Sequence, residues 1–127
     1  ITQAAEISIV PVTGAEAVTG STRMKAGTAQ KLVLNMISTT AMIRLGYVKG
    51  NRMTNVKSSN IKLKERSRRI LMAETGLDET AAQNLLDEAN YDLRAAIVMQ
   101  KANVSRESAA KAVREWNFVI ENALKSF

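Results

Sequence analysis

The chain has 127 residues, no cysteine and no histidine, and its 18 Lys and Arg against 12 Asp and Glu give a formal charge of +6. This composition excludes disulfides, the usual zinc ligands and the Ser-His-Asp and Cys-His nucleophile systems, so any general acid or base must be Asp, Glu, Lys or Tyr. A hydrophobic fraction of 46% argues against disorder, and the length suits one domain or two small ones. One Trp, two Tyr and two Phe, none interleaved with a basic run, argue against a base-stacking platform for nucleic acid, and the excess charge reads as solvated surface. The sequence opens on Ile1 with neither initiator Met nor signal-peptide pattern, as a piece of a longer protein would.

In chain order, Glu6-Ile7-Ser8-Ile9-Val10 is short, β-branched and bounded by Pro11, and predicts a strand, one that needs partners the chain does not supply. A loop runs from Pro11 to about Thr22. From about Met24 to Leu45 the pattern is helical and apolar nearly all round, with Leu32, Val33, Leu34, Met36, Ile37, Met42 and Ile43, which predicts burial in a core or an interface. Asn35 and Arg44 make it too polar to span a membrane. Gly46 is placed to stop this helix, and Tyr47 to Val56 reads as a loop with a short strand.

A second helix is expected from about Ser59 to Gly76. Leu63, Ser67, Ile70, Leu71 and Glu74 share one face, and Lys62, Arg66 and Arg69 form a basic, solvated stripe on another. Asp78 and Asp92 are N-caps for two further helices, with Ala82, Leu85, Leu86 and Ala89, then Leu93, Ala96 and Ile97, facing inward. Ser105 opens a last apolar pattern through Ala109, Ala112, Val113, Trp116, Val119, Ile120, Ala123, Leu124 and Phe127, either one helix or two with a break near Asn117. Glu74, Asp78 and Glu79 read as capping acids, and Trp116 and Phe118 as packing residues.

The stretch Thr19–Lys31 carries two glycines, four hydroxyl side chains and three cations directly before the apolar helix. Hydroxyls, free N–H groups and positive charge at a helix start suit an anion, and they equally suit an ordinary capped helix. From Gly14 through Thr39 the sequence, including Gly20-Ser21-Thr22-Arg23-Met24-Lys25-Ala26-Gly27-Thr28-Ala29-Gln30-Lys31, closely resembles the signature of the N-acetylmuramic acid 6-phosphate etherases. It is less similar to the related glucokinase regulatory protein. The resemblance continues through Met42–Gly46, Gly50–Met53, Ala73–Gly76 and Ala95–Met99, and weakens over about the last twenty residues.

The resemblance implies a fold mainly α in this fragment: residues 1–58 as the C-terminal end of an α/β sugar-isomerase-type domain, and residues 59–127 as a small ubiquitin-associated-like helical bundle. It implies a cytoplasmic lyase of cell-wall sugar recycling. That enzyme cleaves the D-lactyl ether of N-acetylmuramic acid 6-phosphate to N-acetylglucosamine 6-phosphate and D-lactate, by elimination and then addition of water. It implies a homodimer, a phosphosugar substrate, no cofactor, no metal, no nucleic acid and no membrane. The family's acid and base glutamates lie upstream, so no catalytic residue falls in this chain, which alone is expected to be inactive.

Glu16, Ser21, Thr22, Arg23 and Lys25 are the candidate substrate-binding residues. Glu16 contacts substrate or pairs with Arg23 or Lys25; Ser21 and Thr22 cap the helix or donate to the phosphosugar. Arg23 suits bidentate anion binding and Lys25 a point charge. Ala15 stands where the family commonly has proline. The run Lys25–Gln30 favours the etherases over a non-catalytic sugar-phosphate-binding regulator; a helical protein-interaction module is the third reading.

Overall fold

The computed structural model describes residues 2–127. Six α-helices account for most of the regular structure, and about 58% of the chain is helical. The described residues form two compact units, one up to Ala41 and one from Met42 onward.

In the first unit a single 3-10 turn at Thr2–Ala4 precedes a long irregular stretch. The strand expected at Glu6–Val10 does not form: Glu6 and Ile7 bend, Ser8–Val10 have no regular structure, and the Ile7 side chain is 83% exposed. A ladder needs a second backbone to accept its N–H groups, and the described residues of this unit contain no strand. The loop ends at helix α1, Lys25–Arg44. No residue of α1 is buried, with Leu34, Met36 and Ile37 all more than half exposed. Of the two expected settings, a core or an interface, the core is not formed among the described residues, whose buried apolar cluster is built from other elements.

Gly46 terminates α1 as expected. It adopts φ +75°, its N–H donates to the Ile43 carbonyl at 3.0 Å, and the Tyr47 N–H reaches back to Met42 at 3.1 Å, the two bonds of a Schellman ending. The hairpin that follows pairs strand β1 (Val48–Lys49) with β2 (Arg52–Met53), Val48 opposite Met53 and Lys49 opposite Arg52. Gly50, at φ +57°, takes the first turn position.

Four further helices and a short last one complete the second unit: α2 (Ile61–Thr75), α3 (Glu79–Glu88), α4 (Leu93–Ala102), α5 (Arg106–Glu115) and α6 (Ile120–Leu124). Their starts follow one chemical rule. Asn60, Asp78, Asp92 and Ser105 each turn a side-chain oxygen onto a free N–H two or three residues ahead, as at Asp78, which accepts from Ala81 at 2.8 Å. Left-handed Gly76 and Asn103 stop α2 and α4. The final apolar pattern divides into two helices, because Asn117 (φ +49°) and Phe118 (φ +65°) turn left-handed between α5 and α6.

Helix α4 lies at the centre, packed against α2, α3, α5 and α6. The core combines Ile70 and Leu71 of α2, Leu86 of α3, Leu93 and Ile97 of α4, Val113 of α5 and Ile120 of α6, and seven of its sixteen residues are alanine. Ser67 is fully buried on the inner face of α2, and its hydroxyl is satisfied by the Ser58 hydroxyl at 3.0 Å. Trp116 departs from the packing expectation: it is 44% exposed, and its indole N–H donates to the Ser126 hydroxyl at 2.6 Å. Phe118 stacks under the Arg94 guanidinium, 4.5 Å from its ring centre. Among the described residues no helix is long and apolar enough to cross a membrane.

Candidate functional site

The loop before α1 is organised by Glu16. Its two carboxylate oxygens accept from the backbone N–H groups of Lys25 (3.1 Å) and Ala26 (3.0 Å), so a side chain nine residues upstream supplies the helix cap. The position is the one where partial positive charge concentrates, and a carboxylate there is favoured for the same reason an external anion would be. Lys25 reinforces the closure, its Nζ donating to the Ala15 carbonyl at 2.7 Å. Left-handed Gly14 and Gly20 flank the loop, and a turn closes where the Ser21 N–H meets the Val18 carbonyl at 3.0 Å.

The remaining candidates take different places. Thr22 enters through its backbone: its carbonyl accepts from the Gly27 N–H at 2.9 Å, and a Cβ on Gly27 would stand 3.2 Å from that same oxygen. Thr22, Arg23 and Lys25 are exposed and Ser21 is half-buried. The hydroxyls of Ser21 and Thr22 make no hydrogen bond among the described residues, and neither does the Arg23 guanidinium. The structure thus brings Glu16 and Lys25 together across the helix start and presents Thr22 and Arg23 to solvent beside them. A neighbouring cleft of about 240 Å³ lies between the loop and α1, lined by Ile9, Pro11, Ala26, Ala29, Val33 and Leu34 among others, and includes none of the five candidates.

What the sequence reading missed is that the helix cap comes from Glu16 rather than from a hydroxyl at the helix boundary. Capping residues are sought immediately before a helix; the signal here is an acid separated from the helix by a turn whose course depends on Gly14 and Gly20.

A second polar cluster sits in the unit from Met42 onward. Glu74, expected to be a capping acid, is instead the centre of an ion network: its carboxylate is 10% exposed and faces Arg52 (2.8 Å), Lys101 (3.6 Å) and Lys49 (3.7 Å). Lys49 also donates to Glu121 at 2.8 Å, which ties β1 to α6. The hydrogen bond to Glu121 holds the Lys49 ammonium above its ordinary range, against burial and with help from the charges of Glu121 and Glu74. Burial pushes the Glu121 carboxyl up, but the hydrogen bond from Lys49, a backbone hydrogen bond and the charges of Lys49 and Lys101 together leave it below the usual carboxylate range. Glu79 pairs with Arg68 at 2.9 Å in the first turn of α3. Each of these acids is engaged by cations, as in a brace between elements.

No family model matches the chain. Curated relatives do. The chain is 47% identical over 124 residues to the N-acetylmuramic acid 6-phosphate etherase of Pectobacterium atrosepticum, covering 98% of this chain and 41% of that protein. Proteins of the same name from Clostridium botulinum (46% identical over 121 residues) and Yersinia pestis (46% over 124) match over 95% and 98% of the chain, and 40% and 42% of their own lengths. The match falls on the C-terminal part of these relatives, and the chain spans about two fifths of their length.

Proposed function

From these relatives we propose that the protein of which this chain is part is an N-acetylmuramic acid 6-phosphate etherase. The observation that carries the reading is identity of 46–47% sustained over nearly the whole chain, including the signature loop. The reaction would break the ether C–O bond, release D-lactate and add water to the unsaturated sugar, leaving N-acetylglucosamine 6-phosphate. In this reading residues 1–58 close a sugar-isomerase-type domain and residues 59–127 are its ubiquitin-associated-like helical bundle. The acid and base glutamates belong to the upstream part, and this chain alone is inactive. The enzyme works in the cytoplasm as a homodimer, and the apolar face of α1 is a contributor to the contacts that cover it.

Within the loop, Glu16 fixes the helix start, and Ser21, Thr22, Arg23 and Lys25 present hydroxyls and cations to the phosphosugar. The carboxylate already seated on the helix N-terminus leaves the substrate phosphate to side chains, above all to the exposed Arg23 fork. In a full-length protein, release of D-lactate from N-acetylmuramic acid 6-phosphate tests the reading. Arg23→Ala should raise KM about tenfold or more with a smaller change in kcat, as loss of a charge-assisted phosphate contact does. Unchanged kinetics would reduce Arg23 to a structural role. Tight phosphosugar binding without any lactate release would favour the non-catalytic regulator, and a protein partner captured by the bundle without either would favour the interaction module.

A further inference from the structure

Between β2 and α2 runs an open groove of about 430 Å³. Its walls carry four cations: Arg52 from the hairpin, and Lys62, Arg66 and Arg69 from α2. The last three are spaced i, i+4 and i+7, so they line one helix face, where like charges repel and destabilise the helix. Two of the four are neutralised inside the protein: Arg52 by Glu74 at 2.8 Å, and Arg69 by Glu65 at 2.8 Å. Glu65 is the acid of the groove, and it is shared between Arg69 and Arg68. Lys62 and Arg66 have no ion pair or hydrogen bond among the described residues. They stand one helical turn apart with their charge uncompensated.

We propose that this groove binds a small phosphomonoester, with its phosphate on Lys62 and Arg66 and its organic part against Met53 and Ile70. A planar guanidinium and a mobile ammonium on adjacent turns supply the donors that a tetrahedral dianion accepts. Met53 and Ile70 give the groove an apolar part, which suits a ligand that carries carbon as well as charge. The volume fits a small molecule, and no aromatic side chain lines the groove, so the stacking that single-stranded nucleic acid requires is missing. The proposal stands on the second unit alone and does not rest on the etherase reading.

The test titrates the 127-residue chain at constant ionic strength with glucose 6-phosphate, inorganic phosphate or glucose, and follows backbone amide resonances. Saturable shifts at Arg52, Met53, Lys62 and Arg66 are expected with both phosphates, tighter with the sugar phosphate, and none with glucose. The Lys62→Gln/Arg66→Gln double variant should weaken binding about tenfold or more. Arg66→Lys, which keeps the charge and loses the fork, should fall between. Lys111→Gln on α5 should leave binding unchanged, and circular dichroism confirms that each variant is folded. Four results would overturn the proposal: shifts that never saturate, shifts confined to residues 14–25, binding that survives the double substitution, or saturation by an oligonucleotide alone.

Discussion

At the scale of single residues, Gly46 carries two constraints at once. Its φ of +75° is one that side-chain-bearing residues adopt at a cost, and a Cβ there would stand 2.8 Å from the backbone carbonyl carbon of Phe118. Backbone atoms cannot swing away as a side-chain tip can. Gly46→Ala should therefore destabilise the second unit by about 2 kcal/mol, the strain of the left-handed region plus local overpacking, read as a lowered urea midpoint with unchanged slope. Gly76→Ala offers the comparison, since it shares φ +75° with open space around its Cβ site, and should cost less. Half of this was legible in advance: a glycine after a long apolar run is a helix stop. The approach of Phe118 was not, because it depends on the left-handed turn at Asn117 and Phe118, more than seventy positions on. Glu16 repeats the lesson, for its type was noticed and its role came from loop geometry.

At the scale of elements, helices were the readable part. Asp78, Asp92 and Ser105 act locally, within three residues of the N–H groups they satisfy, so their sequence signal and their structure coincide. The Glu6–Val10 strand failed because strand formation is a property of pairs. Glu74 escaped detection as a hub because its partners lie on the hairpin and on α4. The Lys49–Glu121 pair of this brace makes stability depend on pH in a defined sense. Glu121, with its folded pKa depressed, contributes above its unfolded pKa and loses that contribution as pH falls through the folded value. Lys49, with its folded pKa raised, contributes fully below its unfolded value and loses it as pH rises through the folded one. The pair thus acts between the carboxylate range and the lysine range. Glu121 is half exposed, so screening keeps the effect small. The difference in urea midpoint between the parent chain and Glu121→Gln should be largest near neutral pH and shrink as pH falls through the carboxylate range, where Glu121 takes up its proton. A difference constant across that range would remove the ion pair from the account.

At the scale of the whole molecule, the buried apolar residues among those described all belong to the second unit. Residues 42–127 expressed alone should give a helical spectrum and a single cooperative thermal transition, and should sediment as a monomer. The 127-residue chain should associate, because α1 exposes Leu32, Leu34, Met36, Ile37 and Ile43 to water. Sedimentation velocity on both checks this, and a monodisperse, monomeric full chain would count against α1 as a contact surface. The apolar sequence of α1 announced that something covers it. Periodicity reports a face and never its partner, and only the resemblance, which implies that residues 1–58 end a larger domain and that the enzyme is a homodimer, pointed to a cover from outside this chain.

The alanines at the centre of the bundle have a consequence of their own. A methyl side chain has no rotamers to freeze on folding, so these seven positions are buried without side-chain entropy cost. The same feature removes the usual remedy for substitution. Where a leucine-filled interior can reorient its neighbours around an added methylene, Ala96 and Ala109 are fully buried, and a larger side chain there would overpack the core. Substitution in this bundle is therefore better tolerated on its surface, away from the Glu74 network and the Lys62–Arg66 groove.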